Sequence, residues 1–393
     1  MPTSVIVAGA RTPIGKLSGA LGGFTAMQLG GFAIRAALER AGCSPDEVDE
    51  VLMGQVLQAG QGQITARQAA VLGGVPMSVH ATTVNKVCLS GLNTIYLADL
   101  LIRAGEAEVI VAGGMESMTT APHLLPGARA GFRIGDATLV DSMMLDGLTC
   151  AFDHCAMGLS TEQHNHGRIS RERQDAFSAA SHEKAAAASK NGLFAEEIVA
   201  VEVPQRKGDP IVVDTDEGIR PGTTVESLAA LRPAFTKDGT ITAGNASQIS
   251  DGAAAVVVMS KERANARGLE VLGELVAYGQ VAGPDASLLS QPANAINAAV
   301  RKAGITVADL DLVEINEAFA AVGLQSADEL GVADDRLNVN GGAIALGHPV
   351  GMSGTRLALT ALLELRRRGG GTAAVALCGG GGQGDAAVLR TLG

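Results

Sequence analysis

A stretch near the start of this chain is written again near its end, and that repetition limits the folds open to it. Ala36-Ala-Leu-Glu-Arg-Ala-Gly-Cys-Ser-Pro-Asp-Glu-Val-Asp-Glu-Val51 lines up with Ala298-Ala-Val-Arg-Lys-Ala-Gly-Ile-Thr-Val-Ala-Asp-Leu-Asp-Leu-Val313 at an offset of 262. Val84-Asn85 is echoed by Val339-Asn340, Ser90-Gly91 by Ser353-Gly354, and Glu108-Val-Ile-Val-Ala112 by Thr372-Ala-Ala-Val-Ala376. Periodicity supplies the elements: strands over 4–9, 49–56, 81–84 and 108–112, with the last ending in Gly113-Gly114, and helices over 24–41, 65–71 and from Leu92 to Arg103. The economical fold is α/β and built twice, each half a βαβαβ-type unit with a mixed sheet, the two packed as layers.

The halves differ in one place. In the second, the strand ending at Cys378 passes through a glycine turn straight into Asp385-Ala-Ala-Val-Leu389. In the first, the equivalent strand, Asp251 to Val258, arrives only after residues 119–248. The expected division is therefore 1–118 with 249–270 as the first half, 119–248 as a large loop insertion, and 271–393 as the second half. The insertion holds a helix over 171–189 and the basic positions Arg206, Lys207, Arg220, Arg232 and Lys237.

Composition narrows the class. With 47% hydrophobic residues but only 3% aromatic and no Trp, the core must be Ala, Val, Leu and Ile. A net charge of −11 argues against nucleic acid and anionic membrane surfaces. Five cysteines at 43, 88, 150, 155 and 378 form no disulfide framework, which suits a reducing compartment. The N-terminus lacks a signal or transit pattern, and no apolar run is expected to span a membrane. The expectation is a cytoplasmic protein.

Chemistry concentrates at Asn85-Lys-Val-Cys-Leu-Ser-Gly-Leu92, which places Cys88 at or just before a helix N-terminus. The free N–H groups there favour a thiolate. Duplication makes this turn the equivalent of the loop carrying His348, so pseudo-symmetry should bring the two together, and a cysteine facing a histidine is an activated nucleophile. Cys378, at a strand end beside glycines, offers a second thiol suited to proton transfer at carbon.

Four motifs in this order, Asn-x-x-Cys-x-Ser-Gly (85–91), Asn-Glu-Ala-Phe-Ala (316–320), Gly-Gly-Ala-Ile-Ala-x-Gly-His-Pro-x-Gly-x-Ser-Gly (341–354) and Cys-x-Gly-Gly-Gly-x-Gly (378–384), resemble those of the thiolase family across essentially the whole chain. The resemblance implies the thiolase fold and a two-step acyl transfer that condenses two acetyl-CoA to acetoacetyl-CoA, or cleaves the product with coenzyme A. It implies that Cys88 is acylated, that His348 activates it, and that Cys378 is the general acid and base. It assigns one oxyanion hole to the backbone N–H groups of Cys88 and Gly380, and another to His348 with a water held by Asn316. It places coenzyme A against Arg220, Ser227 and Ser247, with Met157, Phe235 and Phe319 lining the channel. It implies no cofactor beyond the thioester substrates, and a homotetramer or homodimer. Ala156 and Leu288 depart from the short-chain pattern, so a broader 3-oxoacyl-CoA thiolase of fatty-acid breakdown stands as the alternative. A non-catalytic lipid-binding relative is the alternative of another class.

Two other signals are set aside. Gly379-x-Gly381-x-x-Gly384 leads into a strand rather than the helix a dinucleotide fingerprint needs, and Leu17 replaces the Ser or Thr of a P-loop. Cys150, His154, Cys155, His164 and His166 match no regular zinc spacing, and no metal is expected.

Overall fold

Runs of β-branched residues and alanine build strands buried on both faces, and helices close both sides of them. The computed structural model describes residues 3–391. The elements that position the site are, in the first half, β1 (Ser4–Arg11), α1 (Ala26–Arg40), β2 (Glu50–Gly54), α2 (Thr65–Leu72), β3 (His80–Val84), α3 (Ser90–Ala104) and β4 (Val109–Ser117). They continue with α4 (Met157–Asn165), α5 (Arg171–Lys190), α6 (Val225–Ala229) and β5 (Ser250–Ser260). The second half supplies β6 (Glu274–Ala282), α7 (Gln291–Ala303), β7 (Leu312–Ile315), α8 (Ala320–Leu330), α9 (Ser353–Arg367), β8 (Gly371–Gly379) and β9 (Gln383–Thr391).

The first sheet has the order β1-β5-β4-β2-β3, antiparallel from β1 to β4 and parallel from β4 to β3. The second has the order β6-β9-β8-β7, with β8 and β7 parallel. In the position equivalent to β3 the second half has a parallel bridge from Val313 to Leu337. β4 ends at Ser117 and β5 begins at Ser250, yet they are neighbours in the sheet, with Ser117 opposite Asp251.

Alternation along each strand sorts its side chains into layers. Val5, Val51, Val109 and Val111 pack on α1 and α2 on one face of the first sheet. Ile6, Leu52, Ile110 and Ala112 point the other way, onto Leu92, Ile95 and Ala98 of α3 and Leu357, Ala358 and Leu362 of α9. The same central cluster contains Leu312, Ala373, Val375, Ala387 and Leu389 of the second sheet. The outer face of that sheet meets Ala295, Ile296 and Ala299 of α7 and Ala327 of α8. The result is five layers, helix-sheet-helix-sheet-helix, with α3 and α9 in the middle.

Two expectations need correction. The strand expected to stop at Gly113-Gly114 runs on to Ser117, entirely buried. Glycine interrupts the hydrophobic pattern there because backbone presses from both sides: a Cβ on Gly113 would strike the Ala254 carbonyl, and one on Gly114 the Gly351 carbonyl. One segment, Val87–Ala104, does have the length and mean hydropathy of a membrane span. It is α3 and its leading turn, and it is apolar around much of its circumference because it packs between two sheets.

The helices α3 and α9 approach each other through glycine. A Cβ on Gly91 would lie 2.8 Å from both the Gly351 carbonyl oxygen and Thr355 Oγ1, and one on Gly354 would strike Leu92. Thr355 Oγ1 donates to the Gly91 carbonyl at 2.8 Å. These reciprocal contacts bring together the segments that precede the two helices, one carrying Cys88 and the other His348.

Candidate active site

The turn between β3 and α3 is closed by its own side chains. Asn85 Oδ1 accepts from the Val87 N–H at 3.0 Å, and Asn85 Nδ2 donates to the Val56 carbonyl at 3.4 Å. Ser90 Oγ accepts from the Lys86 N–H at 2.8 Å and donates to the Val87 carbonyl at 2.6 Å. Val87 takes φ +52°, a region that costs a β-branched residue energy and persists only where the surroundings hold it. Part of that hold comes from the other half: Lys86 Nζ bonds both carboxylate oxygens of Asp385 on β9, at 2.8 and 2.7 Å.

Cys88 is half-buried, packed against a cluster of Val56, Leu57, Met118 and Val350. The expectation of a thiolate favoured by the helix N-terminus does not hold for the resting protein. Burial pushes the thiol up to about 12, against the pull of its own backbone N–H, and the charge of Glu116 adds to the rise. The apolar surroundings outweigh the amides, so ionising the sulfur would take a base.

His348 is buried, and its loop is fixed by Gln248. The Gln248 carbonyl accepts from the His348 N–H at 3.0 Å. Its side-chain amide donates to the carbonyls of Gly218, Ile344 and Ala345 at 3.0, 2.9 and 3.1 Å. His348 Nδ1 lies 2.6 Å from Ser353 Oγ, whose own proton goes to the Pro349 carbonyl at 3.0 Å. With the hydroxyl proton so directed, Nδ1 is assigned as the donor and Nε2 as the nitrogen with the lone pair. Asn316 Nδ2 sits 3.4 Å from that Nε2, while Asn316 Oδ1 is buried without a partner. Burial, and then the charge of Arg356, lowers the imidazole to about 3, so it is neutral at pH 7.

Cys378 sits near the end of β8, 1% exposed, among Leu288, Leu289, Ala318 and Val322. Its thiol is pushed up by burial first and then by charge on Cys88, a coupling between the two sulfurs. The glycine turn after it touches the Cys88 turn directly. A Cβ on Gly379 would lie 2.7 Å from the Leu89 side chain, and one on Gly380 3.6 Å from Val87.

A cavity of about 230 Å³ opens beside His348. His348, Met118 and Val350 form part of its wall together with Met157, Ser247 and Phe319. Met118 and Val350 are the residues against which Cys88 packs, and Met157 and Phe319 pack on the cluster that contains Cys378. Phe235 also lines it, with its ring edge-to-face on Phe319 at 6.5 Å. Ala156 is on the wall, and Leu288 is among the neighbours of Cys378.

Two expected ligand contacts lie apart from the lining. Arg220 is exposed, with Nη2 3.5 Å from Gln248 Oε1. Ser227 is exposed on α6, where its hydroxyl bonds the Thr224 carbonyl at 2.7 Å. Among the described residues, no group of three or more His, Cys, Asp or Glu is placed to hold a metal ion. Sequence reasoning missed Gln248, Ser353 and the cavity residues Met118, Met144 and Leu148. It also missed Glu116, whose only signal was a lone acid in an otherwise uncharged strand.

Residues 4–262 match the family model described as thiolase, N-terminal domain, and residues 269–391 that described as thiolase, C-terminal domain. A probable acetyl-CoA acetyltransferase of Mycolicibacterium smegmatis is 62% identical over 387 residues, covering 98% of this chain and 100% of that protein. One from Mycobacterium tuberculosis is 60% identical over 391 residues, covering 99% and 100%. An acetyl-CoA acetyltransferase of Pseudomonas aeruginosa is 52% identical over 392 residues, covering 99% of each chain.

The tautomer argument yields a kinetic expectation. Ser353→Ala removes the acceptor of Nδ1–H, and acylation of Cys88 should slow by about tenfold with little change in KM. Stopped-flow measurement of acyl-enzyme formation checks this, and an unchanged rate would show that the hydroxyl does not orient the ring.

Proposed function

The chain belongs to the thiolase family, and we propose that it is an acetyl-CoA C-acetyltransferase working through an acylated Cys88. The observation that supports this reading is a mostly apolar cavity walled by the neutral imidazole of His348, with Cys88 and Cys378 each packed in a cluster that shares residues with that wall.

Burial makes isolated charges costly here, so charges should form in pairs. His348 Nε2 takes the Cys88 proton as the sulfur attacks the thioester carbon. The departing coenzyme A thiolate takes the proton of Cys378. An acetyl group is then on Cys88, and imidazolium and the Cys378 thiolate remain as a pair. A thiol so reluctant to ionise leaves a strongly basic thiolate, which suits removal of a weakly acidic methyl proton from the second acetyl-CoA. The carbanion attacks the acetyl carbon, acetoacetyl-CoA forms, and the Cys88 sulfur regains its proton from His348. The reverse sequence is thiolysis.

Negative charge developing on the two thioester oxygens needs donors. The backbone N–H groups of Cys88 and Gly380 serve one oxygen. His348, with a water held by Asn316, serves the other, a role supported by the unpartnered Asn316 Oδ1. Met157, Phe235, Ser247 and Phe319 bound the pantetheine and acyl path, while Arg220 and Ser227 meet the nucleotide. Residues 119–248 act as an inserted unit contributing most of these contacts. No further cofactor enters the cycle. Five free cysteines suit the cytoplasm.

The chain also acts as a homo-oligomer. β3 is an edge strand, and Ile64, Leu72 and Met77 expose apolar surface beside it, which favours a dimer pairing there. A second apolar group, Phe132, Ile134 and Leu139, favours a tetramer.

Three measurements test these points. With acetyl-CoA, mass spectrometry should find one acetyl group on the wild type and on Cys378→Ala but none on Cys88→Ala, and Cys378→Ala should lose condensation. Labelling of Cys88→Ala would remove the nucleophile assignment. Thiolysis should be fastest on acetoacetyl-CoA, and equal or better rates on long 3-oxoacyl chains, for which the small Ala156 leaves room, would establish the broad-range degradative enzyme instead. Met77→Glu should shift the mass measured by light scattering toward the monomer, and an unchanged mass would refute the β3 interface.

A further inference from the structure

Glu116 is the only charged residue of β4 and is 0% exposed. Its carboxylate is held by three backbone N–H groups. Oε2 accepts from Gly351 at 2.9 Å and from Val56 at 3.0 Å, and Oε1 accepts from Leu57 at 3.1 Å. Those donors belong to both sides of the reaction. Gly351 is three residues after His348, in the same loop, two residues before the Ser353 that bonds the imidazole. Val56 and Leu57 form the apolar cluster under Cys88, and the Val56 carbonyl accepts from Asn85 at the base of the nucleophile's turn.

We propose that Glu116 is a positioning residue that clasps the His348 loop to the Cys88 turn and so sets the approach of base and nucleophile. This rests on the acyl-transfer reading of those two residues. A path of few bonds joins them: Asn85 to the Val56 carbonyl, the Val56 N–H to Glu116, and Glu116 to the Gly351 N–H. The fit is close on every side. A Cβ on Gly351 would lie 2.8 Å from Glu116 Oε2, 2.9 Å from Gln55 Cα and 2.9 Å from the Met115 carbonyl. The loop therefore rests directly on the strand, with the carboxylate wedged beneath it. The choice of a carboxylate has a physical reason, since only an acceptor with two oxygens meets three N–H groups arriving from two loops.

The clasp also acts electrostatically. Burial raises the Glu116 carboxyl to about 7, against the three N–H bonds that favour its ionised form, and Asp251 on β5 adds to the rise. Its negative charge in turn opposes a free thiolate at Cys88. Ionisation of the sulfur is thus tied to transfer of its proton to His348.

The test uses the full-length protein. Glu116→Gln keeps one acceptor oxygen but turns an NH₂ toward an N–H donor. The rate of Cys88 acylation by acetyl-CoA should fall by about tenfold to a hundredfold with KM changed by less than about twofold. The pH midpoint for alkylation of Cys88 by iodoacetamide should move down, because a charge is lost. Gly351→Ala disturbs the same contact from the other side and should slow acylation similarly. The double variant should be no slower than the slower single one, since both break one clasp. Wild-type acylation in Glu116→Gln, or losses that multiply in the double variant, would overturn the proposal. So would a rate per folded active site that stays normal while only the melting temperature falls. Acetyl labelling of Cys88→Ala would instead remove the underlying reading of the site.

Discussion

The structure depends on two helices whose N-terminal ends meet through glycine. α3 and α9 lie side by side in the central layer, and at Gly91 and Gly354 each backbone reaches the other. Small residues permit that approach, and Leu and Ile on the remaining faces fill the space toward both sheets. Because the helices come from duplicated halves, the turn before one and the loop before the other face the same spot. The segments carrying Cys88 and His348, distant in sequence, are therefore brought to one region without any long excursion of the chain. The outer helices and sheets serve mainly to hold this central pair in register.

The same packing sets the electrostatics. Cys88 and Cys378 are held as thiols and His348 as neutral imidazole, all three mainly because burial penalises the charged form. In the proposed acyl transfer a proton moves from sulfur to nitrogen, so that opposite charges would form together. Glu116 and Asn316 belong to this balance: one is a buried acid held by amides, the other an amide with an oxygen left free.

Much of this was legible in the residues. The offset repeats predict two similar sheets, and the strand orders β1-β5-β4-β2 and β6-β9-β8-β7 correspond position by position. The turn before α3 and the loop before α9 were readable as equivalent places from Ser90-Gly91 and Ser353-Gly354. Local reasoning failed where tertiary contact reverses a local rule. Gly113 and Gly114 read as a strand end but lie inside β4, because neighbouring backbone leaves no room for a side chain. Val87–Ala104 passes for a membrane span because a helix between two sheets needs an apolar surface much as one in lipid does. Cys88 read as a thiolate because helix-end amides are visible in sequence, whereas the enclosing Val56, Leu57, Met118 and Val350 are not.

The repeats and motifs alone give the doubled α/β plan and the family, and they single out two cysteines and a histidine as the candidate reactive groups. These follow from repeats and motifs, in which each residue is specified by its near neighbours. The partners of the two His348 nitrogens, the burial that favours neutral sulfurs, and the bonds from Glu116 to two loops emerge only in the folded molecule. Those outcomes depend on burial and on hydrogen bonds between residues up to 235 positions apart. No local pattern encodes them, because the dielectric and donor geometry around a group exist only once the layers have closed over it.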